Sequence, residues 1–307
     1  MGDLLMSLPA VRSLRRAYPQ AELALLMKKE LLPLLENHPD LDRLLPYDPA
    51  EGQGWGAIGK WGGRLRSGRF DTAIILNPTR QFHVASFLAG IPRRIGYRRK
   101  WGFLLTDAVQ DTKEKRNRHE AEYNLELMEP LGVPASAPEL VLAVTPEQER
   151  EAAGLLPAGC IALHPWTSNR TKALPLSFFE ETAQALAGQG RQVAWIGEPE
   201  AGEKPPPLKG GALDLTGRVP LRLLAAVLKR CGLLISNDSG PAHVAAGVGT
   251  PLLVVAPEPH RPVLERWAPL GKNSRLLFSP DAAGAAGAAL ELLSKAALDA
   301  GHPGLRK

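Results

Sequence analysis

The chain reads as an α/β protein with parallel sheets, organised in two halves of the same kind. Three observations lead there. Short apolar runs alternate with longer amphipathic stretches along the whole length, and a chain that alternates strand with helix builds parallel sheets. The 307 residues, 44% apolar and 22% charged, suffice for two globular domains of ordinary size. The stretch LGVPASAPEL (131–140), rich in proline and small residues, breaks the pattern directly after a helical one, which sets domains at 1–135 and 136–307.

The first element is a helix, because Leu4, Leu8, Val11, Leu14 and Tyr18 recur at helical spacing. A doubly wound domain ordinarily opens on a strand, so a first strand is missing ahead of Met1-Gly2-Asp3. The apolar runs 21–27 and 70–76 are read as strands and 119–128 as a helix. Beyond the linker, the strands fall at 160–163, 192–196, 233–235 and 251–255. The segment 198–211 is a Pro/Gly-rich loop. There is no internal repeat.

Composition excludes several classes. No apolar run approaches the ~20 residues that span a bilayer, and the arginines of MGDLLMSLPAVRSLRR follow the apolar part, the wrong order for a secretory signal. The expected location is the cytoplasm, with peripheral contact at the inner face of the membrane. Cys160 and Cys231 have no metal or redox spacing and are read as small core residues. The net charge of +5 is uneven: residues 93–118 carry nine cations against Asp107, Asp111 and Glu114. Such a cluster attracts polyanions, whether nucleic acid, anionic lipid or a phosphorylated glycan, although a solvated loop has the same composition. With 6% aromatics and no RNA-binding or helix-turn-helix signature, sequence-specific nucleic-acid binding is not expected.

Polar groups gather where strands end. SNDSGPAH (236–243) follows the run Leu233-Leu234-Ile235 and leads into a small-residue helix. Pro241 suits a first helical position, Ser239 can cap the helix, and Gly240 lets a ligand approach the backbone, so the helix N-terminus can hold a phosphate. An ordinary capped turn has the same residues. The loop HPWTSNRTK (164–172) is dense in donors and its Lys172 suits a diphosphate. After the next strand, Glu198 or Glu200 can accept from ribose hydroxyls. His243 lies one turn into its helix, within reach of the same phosphate or sugar. The chain has no GxxxxGK[ST], GxGxxG or GxSxG motif, nor a His or carboxylate cluster with metal spacing, which argues against ATP hydrolysis, dinucleotide redox chemistry and zinc catalysis.

These segments, together with GDLLMSLPAVRSLRRAYP (2–19), FDTAIILNP (70–78), RRIGYRR (93–99), HEAEYNLELMEPLG (119–132) and LDLTGRVPLRLLAAVLKRC (213–231), resemble glycosyltransferase family 9, the ADP-heptose:lipopolysaccharide heptosyltransferases and their relatives. The resemblance implies a GT-B architecture, two Rossmann-like domains facing across a cleft, with the acceptor on the N-terminal domain and the sugar nucleotide on the C-terminal one. It implies an inverting, metal-independent transfer of a sugar, heptose above all, from an ADP-sugar co-substrate to a lipopolysaccharide-type or other anionic, lipid-linked glycan, with no further cofactor. By the same resemblance Asp3 is the general base, Lys172 and Ser168 hold the diphosphate, Ser239 and Gly240 bind phosphate, and Asp238 or His243 lies near the transferred sugar. The basic turn Arg98-Arg99-Lys100 is assigned to the acceptor. Trp166 stands where small residues are usual and is expected to narrow the pocket. Two other readings share the scaffold: a truncated, non-catalytic nucleotide-sugar binder, and an epimerase or hydrolase.

Overall fold

In the computed structural model, which describes residues 1–52, 54–115, 117–134, 136–167, 169–199 and 212–299, the chain opens on the helix α1 (Gly2–Ala17). Its apolar period buries Leu5, Met6, Leu8 and Val11. The elements then follow as β1 (Ala24–Lys28), α2 (Leu32–Leu35), β2 (Arg43–Tyr47), α3 (Trp55–Ser67), β3 (Thr72–Ile75), α4 (Arg80–Leu88), β4 (Arg93–Tyr97), β5 (Asp107–Val109) and α5 (Glu120–Glu126). After residue 140 come α6 (Pro146–Leu155), β6 (Ile161–His164), α7 (Leu176–Gly188), β7 (Val193–Trp195), β8 (Leu213–Asp214), α8 (Leu221–Arg230), β9 (Leu233–Asn237), α9 (Gly240–Gly247), β10 (Leu252–Ala256), α10 (Arg261–Arg266), β11 (Ser274–Phe278) and α11 (Ala282–Asp299).

The chain divides into two compact units. One comprises Met6–Leu32 and Asp40–Glu139; the other comprises Met1–Leu5, Pro33–Pro39 and Leu140 onward. In the first, β1 pairs with β2, and β3, β4 and β5 form a separate three-stranded sheet, all parallel. Tyr97, Tyr123, Leu127 and Met128 make one core there, and Ile58, Trp61, Val84 and Ala85 another.

The second unit holds six parallel strands in the order β11-β10-β9-β6-β7-β8. Strands β9 and β10 are buried throughout, as a sheet covered on both faces requires. One helix layer, α7 and α11, closes over Ile161, Leu163, Trp195, Ile235 and Val255. A fully buried side chain of this size contributes about 1.5–3 kcal/mol, so this sheet is a rigid platform for whatever its loops carry. Trp166 joins the same core at 7% exposure. It fills the interior below the loop instead of narrowing a pocket above it. Cys160 and Cys231 are buried, and burial raises both thiols, Cys231 to about 12, as small core residues would show.

Candidate functional site

An open parallel sheet binds ligands outside the carboxyl ends of its strands, where the strand order reverses. In the six-stranded sheet β7 and β8 lie on one side of β6, and β9 to β11 on the other, so the reversal falls between β6 and β9. There His164 is in register with Ser236.

Buried Asn237, the last residue of β9, fixes the loop that follows β6. Its Nδ2 donates to the carbonyls of Pro165 and Leu174 at 2.6 and 3.3 Å, and its Oδ1 accepts from the Leu174 amide at 2.9 Å. Thr167 Oγ1 adds a bond of 3.1 Å to the Asp238 carbonyl. The pinned loop brings Lys172, in a single 3-10 turn capped by Asn169, to the end of β9. Lys172 Nζ donates to Asp238 Oδ2 at 3.2 Å. A third strand end contributes as well: His260, in the 3-10 turn Glu258–His260 after β10, donates from Nε2 to the same oxygen at 3.0 Å. The three side chains are only 21%, 10% and 13% exposed, so this is not one of the solvent-screened pairs that contribute little.

Ser239 departs from its expected role. It stands at the cap position of α9 in extended backbone, but its hydroxyl makes no cap bond. It lies instead 2.8 Å from Ser236 Oγ and 3.2 Å from His164 Nδ1. Burial pushes the His164 pKa down to about 4. The ring is therefore neutral near pH 7 and Nδ1 can accept from a serine hydroxyl. Because the serine is drawn inward, the first amides of α9 are left without the cap, which is how helix ends are presented to anions. Gly197, at the end of β7, packs flat on the imidazole: a Cβ there would stand 2.5 Å from His164 Cδ2, and its φ of +108° suits only glycine.

The start of the chain meets the same turn. A Cβ on Gly2 would be 3.5 Å from Nε2 of the buried His243, and one on Gly240 would be 2.6 Å from Met1 Sδ. Asp3 lies beside this contact, exposed in the first turn of α1. Glu198 is exposed at the end of β7, while Ser168 and Glu200 lie outside the described residues. Arg98, Arg99 and Lys100 form an exposed turn after β4.

The basic run 93–118 is largely neutralised within its own unit. Arg93 pairs with Asp107, Arg99 with Asp111, Lys113 with Glu120 and Arg118 with Glu126, at 2.5–3.3 Å. Arg94 donates from Nε to the Leu104 carbonyl. Arg116 lies outside the described residues. The remaining exposed cations are Arg98, Lys100 and Lys115, so the run is a narrower anion attractor than its charge count suggests.

Sequence reasoning passed over His260, His164 and Asn237 as site residues. Each nonetheless carries the signal that singled out Lys172, a polar residue at or just past the carboxyl end of an apolar run. Among the described residues no three His, Cys, Asp or Glu gather as a metal site requires, and no helix is long and apolar enough to cross a membrane.

The family model described as "Glycosyltransferase family 9 (heptosyltransferase)" matches residues 58–286. The chain belongs to glycosyltransferase family 9. Family relatives include lipopolysaccharide heptosyltransferase 3 of Escherichia coli, 24% identical over 276 residues that cover 82% of this chain and 79% of the relative. Lipopolysaccharide heptosyltransferase 2 of Escherichia coli strain K12 is 26% identical, covering 83% and 79%. Two solved structures share the fold. One is the family 9 glycosyl transferase of Veillonella parvula, with a TM-score of 0.83, 22% identity and coverage of 96% and 94%. The other is the ADP-heptose lps heptosyltransferase II of E. coli, with a TM-score of 0.78, 23% identity and 96% coverage of both chains. The family-9 chain is thus a glycosyltransferase of GT-B fold class, its two units Rossmann-like.

Proposed function

We propose that the protein transfers heptose from ADP-heptose to a lipopolysaccharide-type acceptor, with inversion and without a metal ion. The relatives are named lipopolysaccharide heptosyltransferases, one of them with ADP-heptose in its title, and the observation that supports the reading in this chain is the convergence of Lys172, Asp238 and the uncapped start of α9 on one sheet edge. The donor belongs to residues 136–307 and the acceptor to residues 1–135. Lys172 and Ser168 take the diphosphate, joined by the backbone amides that follow Ser239, from Gly240 on, while the Ser239 hydroxyl stays turned inward. Glu198 or Glu200 serves the ribose, and Asp238 or His243 lies near the heptose. Arg98, Arg99 and Lys100 attract an anionic acceptor.

The chemistry is a single displacement. An acceptor hydroxyl oxygen attacks the anomeric carbon and passes its proton to the carboxylate of Asp3. The bond from that carbon to the phosphate oxygen breaks, and ADP leaves with the electron pair. Proton removal by a placed base contributes roughly 10²- to 10⁴-fold. The charge developing on ADP is met by Lys172 and a helix end, preorganised donors that need no reorientation during the reaction.

ADP release in the presence of ADP-heptose, a heptose-accepting lipid and a chelator tests the reading. Turnover that needs both substrates, survives the chelator and falls in Lys172→Ala and Asp3→Asn supports it. Product from ADP-heptose alone would indicate an epimerase or hydrolase, and ADP binding with no turnover would indicate the non-catalytic relative.

A further inference from the structure

Large apolar side chains left in water call for an explanation when they gather in one place. In the unit made of Met6–Leu32 and Asp40–Glu139, Phe103 is 76% exposed, Trp55 61%, Phe87 50% and Leu88 42%. Contacts join them into one band. Trp55 meets Trp101 edge-on at 6.2 Å between centroids, and Trp101 meets Phe103 at 5.4 Å. The carbonyl of Leu104, next to Phe103, accepts from Arg94 at 2.8 Å, and that guanidinium lies over the Phe87 ring at 5.6 Å.

Three of these four side chains have a cation beside them. Arg80 stacks on Trp55 at 5.6 Å, Arg94 on Phe87, and Arg66 reaches the Leu88 carbonyl at 2.6 Å. The segments that form the band are one-sided in charge. Residues 54–70 carry Lys60, Arg64, Arg66 and Arg69, residues 79–106 carry six more cations, and neither segment contains an Asp or Glu. Just outside them, Glu51 pairs with Lys60 and Arg64, Asp107 with Arg93 and Asp111 with Arg99, which leaves Arg66, Arg69, Arg94, Arg98 and Lys100 among the cations that carry the excess.

We propose that this face docks the protein on an anionic lipid bilayer. Aromatic rings flanked by guanidinium groups suit the headgroup layer, where ring faces meet the apolar boundary while cations meet lipid phosphates. A second copy of the chain is a poorer occupant, since a two-fold contact of the band with itself would set like charges against one another. The inference does not rest on the transferase reading, although a lipid-linked acceptor would lie in the same plane.

Co-sedimentation of the full chain with phosphatidylcholine vesicles, with and without phosphatidylglycerol, tests it. The protein should sediment with the anionic vesicles and stay largely in solution with the neutral ones, and added salt should release it. Trp55→Ser with Phe103→Ser should weaken vesicle binding at least about ten-fold, with the melting temperature and ADP binding kept. Arg66→Gln with Arg80→Gln should lower binding to anionic vesicles only. Absence of vesicle binding, or undiminished binding by the Trp55/Phe103 double variant, overturns the proposal. So does light scattering that shows a dimer which the same two substitutions dissociate.

Discussion

Lys172 Nζ and Asp238 Oδ2 lie 3.2 Å apart across 66 positions of sequence. The oxygen that holds the lysine also takes His260, so one carboxylate ties together the ends of β6, β9 and β10. A lysine held this way can pass to a phosphate without leaving the carboxylate unpaired, because His260 remains. Stranding a buried charge would otherwise be costly.

His260 should therefore matter to donor binding without touching the donor. His260→Ala is expected to raise KM for the ADP-sugar more than it lowers kcat, and to cost about 1.5–3 kcal/mol in urea unfolding, the range for a hydrogen bond to a charged group. His260→Gln, which keeps an N–H donor, should recover most of both. Steady-state kinetics of the two variants decide the matter, and equal loss in both would contradict the role.

Lys172→Ala should weaken ADP binding by about ten- to a hundred-fold, the equivalent of one charge-assisted bond of roughly 1.5–3 kcal/mol. Isothermal calorimetry measures this. Folding stability should fall no further than in His260→Ala, since either substitution leaves Asp238 one of its two partners.

Gly197→Ala should damage both stability and binding. The new methyl would enter the imidazole of His164, and the φ of +108° is strained for any side chain. A cost of about 1–3 kcal/mol is expected from the backbone alone. Displacing the ring would also release Ser239, so ADP affinity should drop with the melting temperature.

The pKa of His164 fixes a pH dependence. Its folded value of about 4 lies below the ordinary 6.5, so between these values the unfolded chain binds the extra proton and stability falls as pH drops. The loss begins near pH 6.5, is complete below about pH 4, and amounts to about 3 kcal/mol at most. Urea unfolding of wild type and His164→Asn across this window measures it, and the variant should show a shallower fall.

Much of this was legible in the sequence. The apolar runs 160–163, 233–235 and 251–255 coincide within two residues with β6, β9 and β10, because buried parallel strands are continuous hydrophobic stretches. The strands β2, β4, β5, β8 and β11 escaped notice: β2 contains a proline, β4 opens on two arginines, β5 and β8 have three and two residues, and β11 is partly exposed, so none has that signature. The turn Asp238-Ser239-Gly240 and Lys172 were visible as chemistry at strand ends. That Ser239 would bond inward to Ser236 and His164 was not, because competition for one hydroxyl depends on the register that sets His164 beside Ser236. The meeting of His260 with Asp238 likewise depends on strand order, which residue spacing does not carry.

The central claim is that the diphosphate sits where Lys172 meets the first turn of α9, and a crystal soaked with ADP tests it most directly. The account predicts both phosphates at this edge, one within hydrogen-bonding distance of Lys172 Nζ and one on the backbone amides that follow Ser239. ADP bound anywhere else, with Lys172 still paired to Asp238, would contradict it.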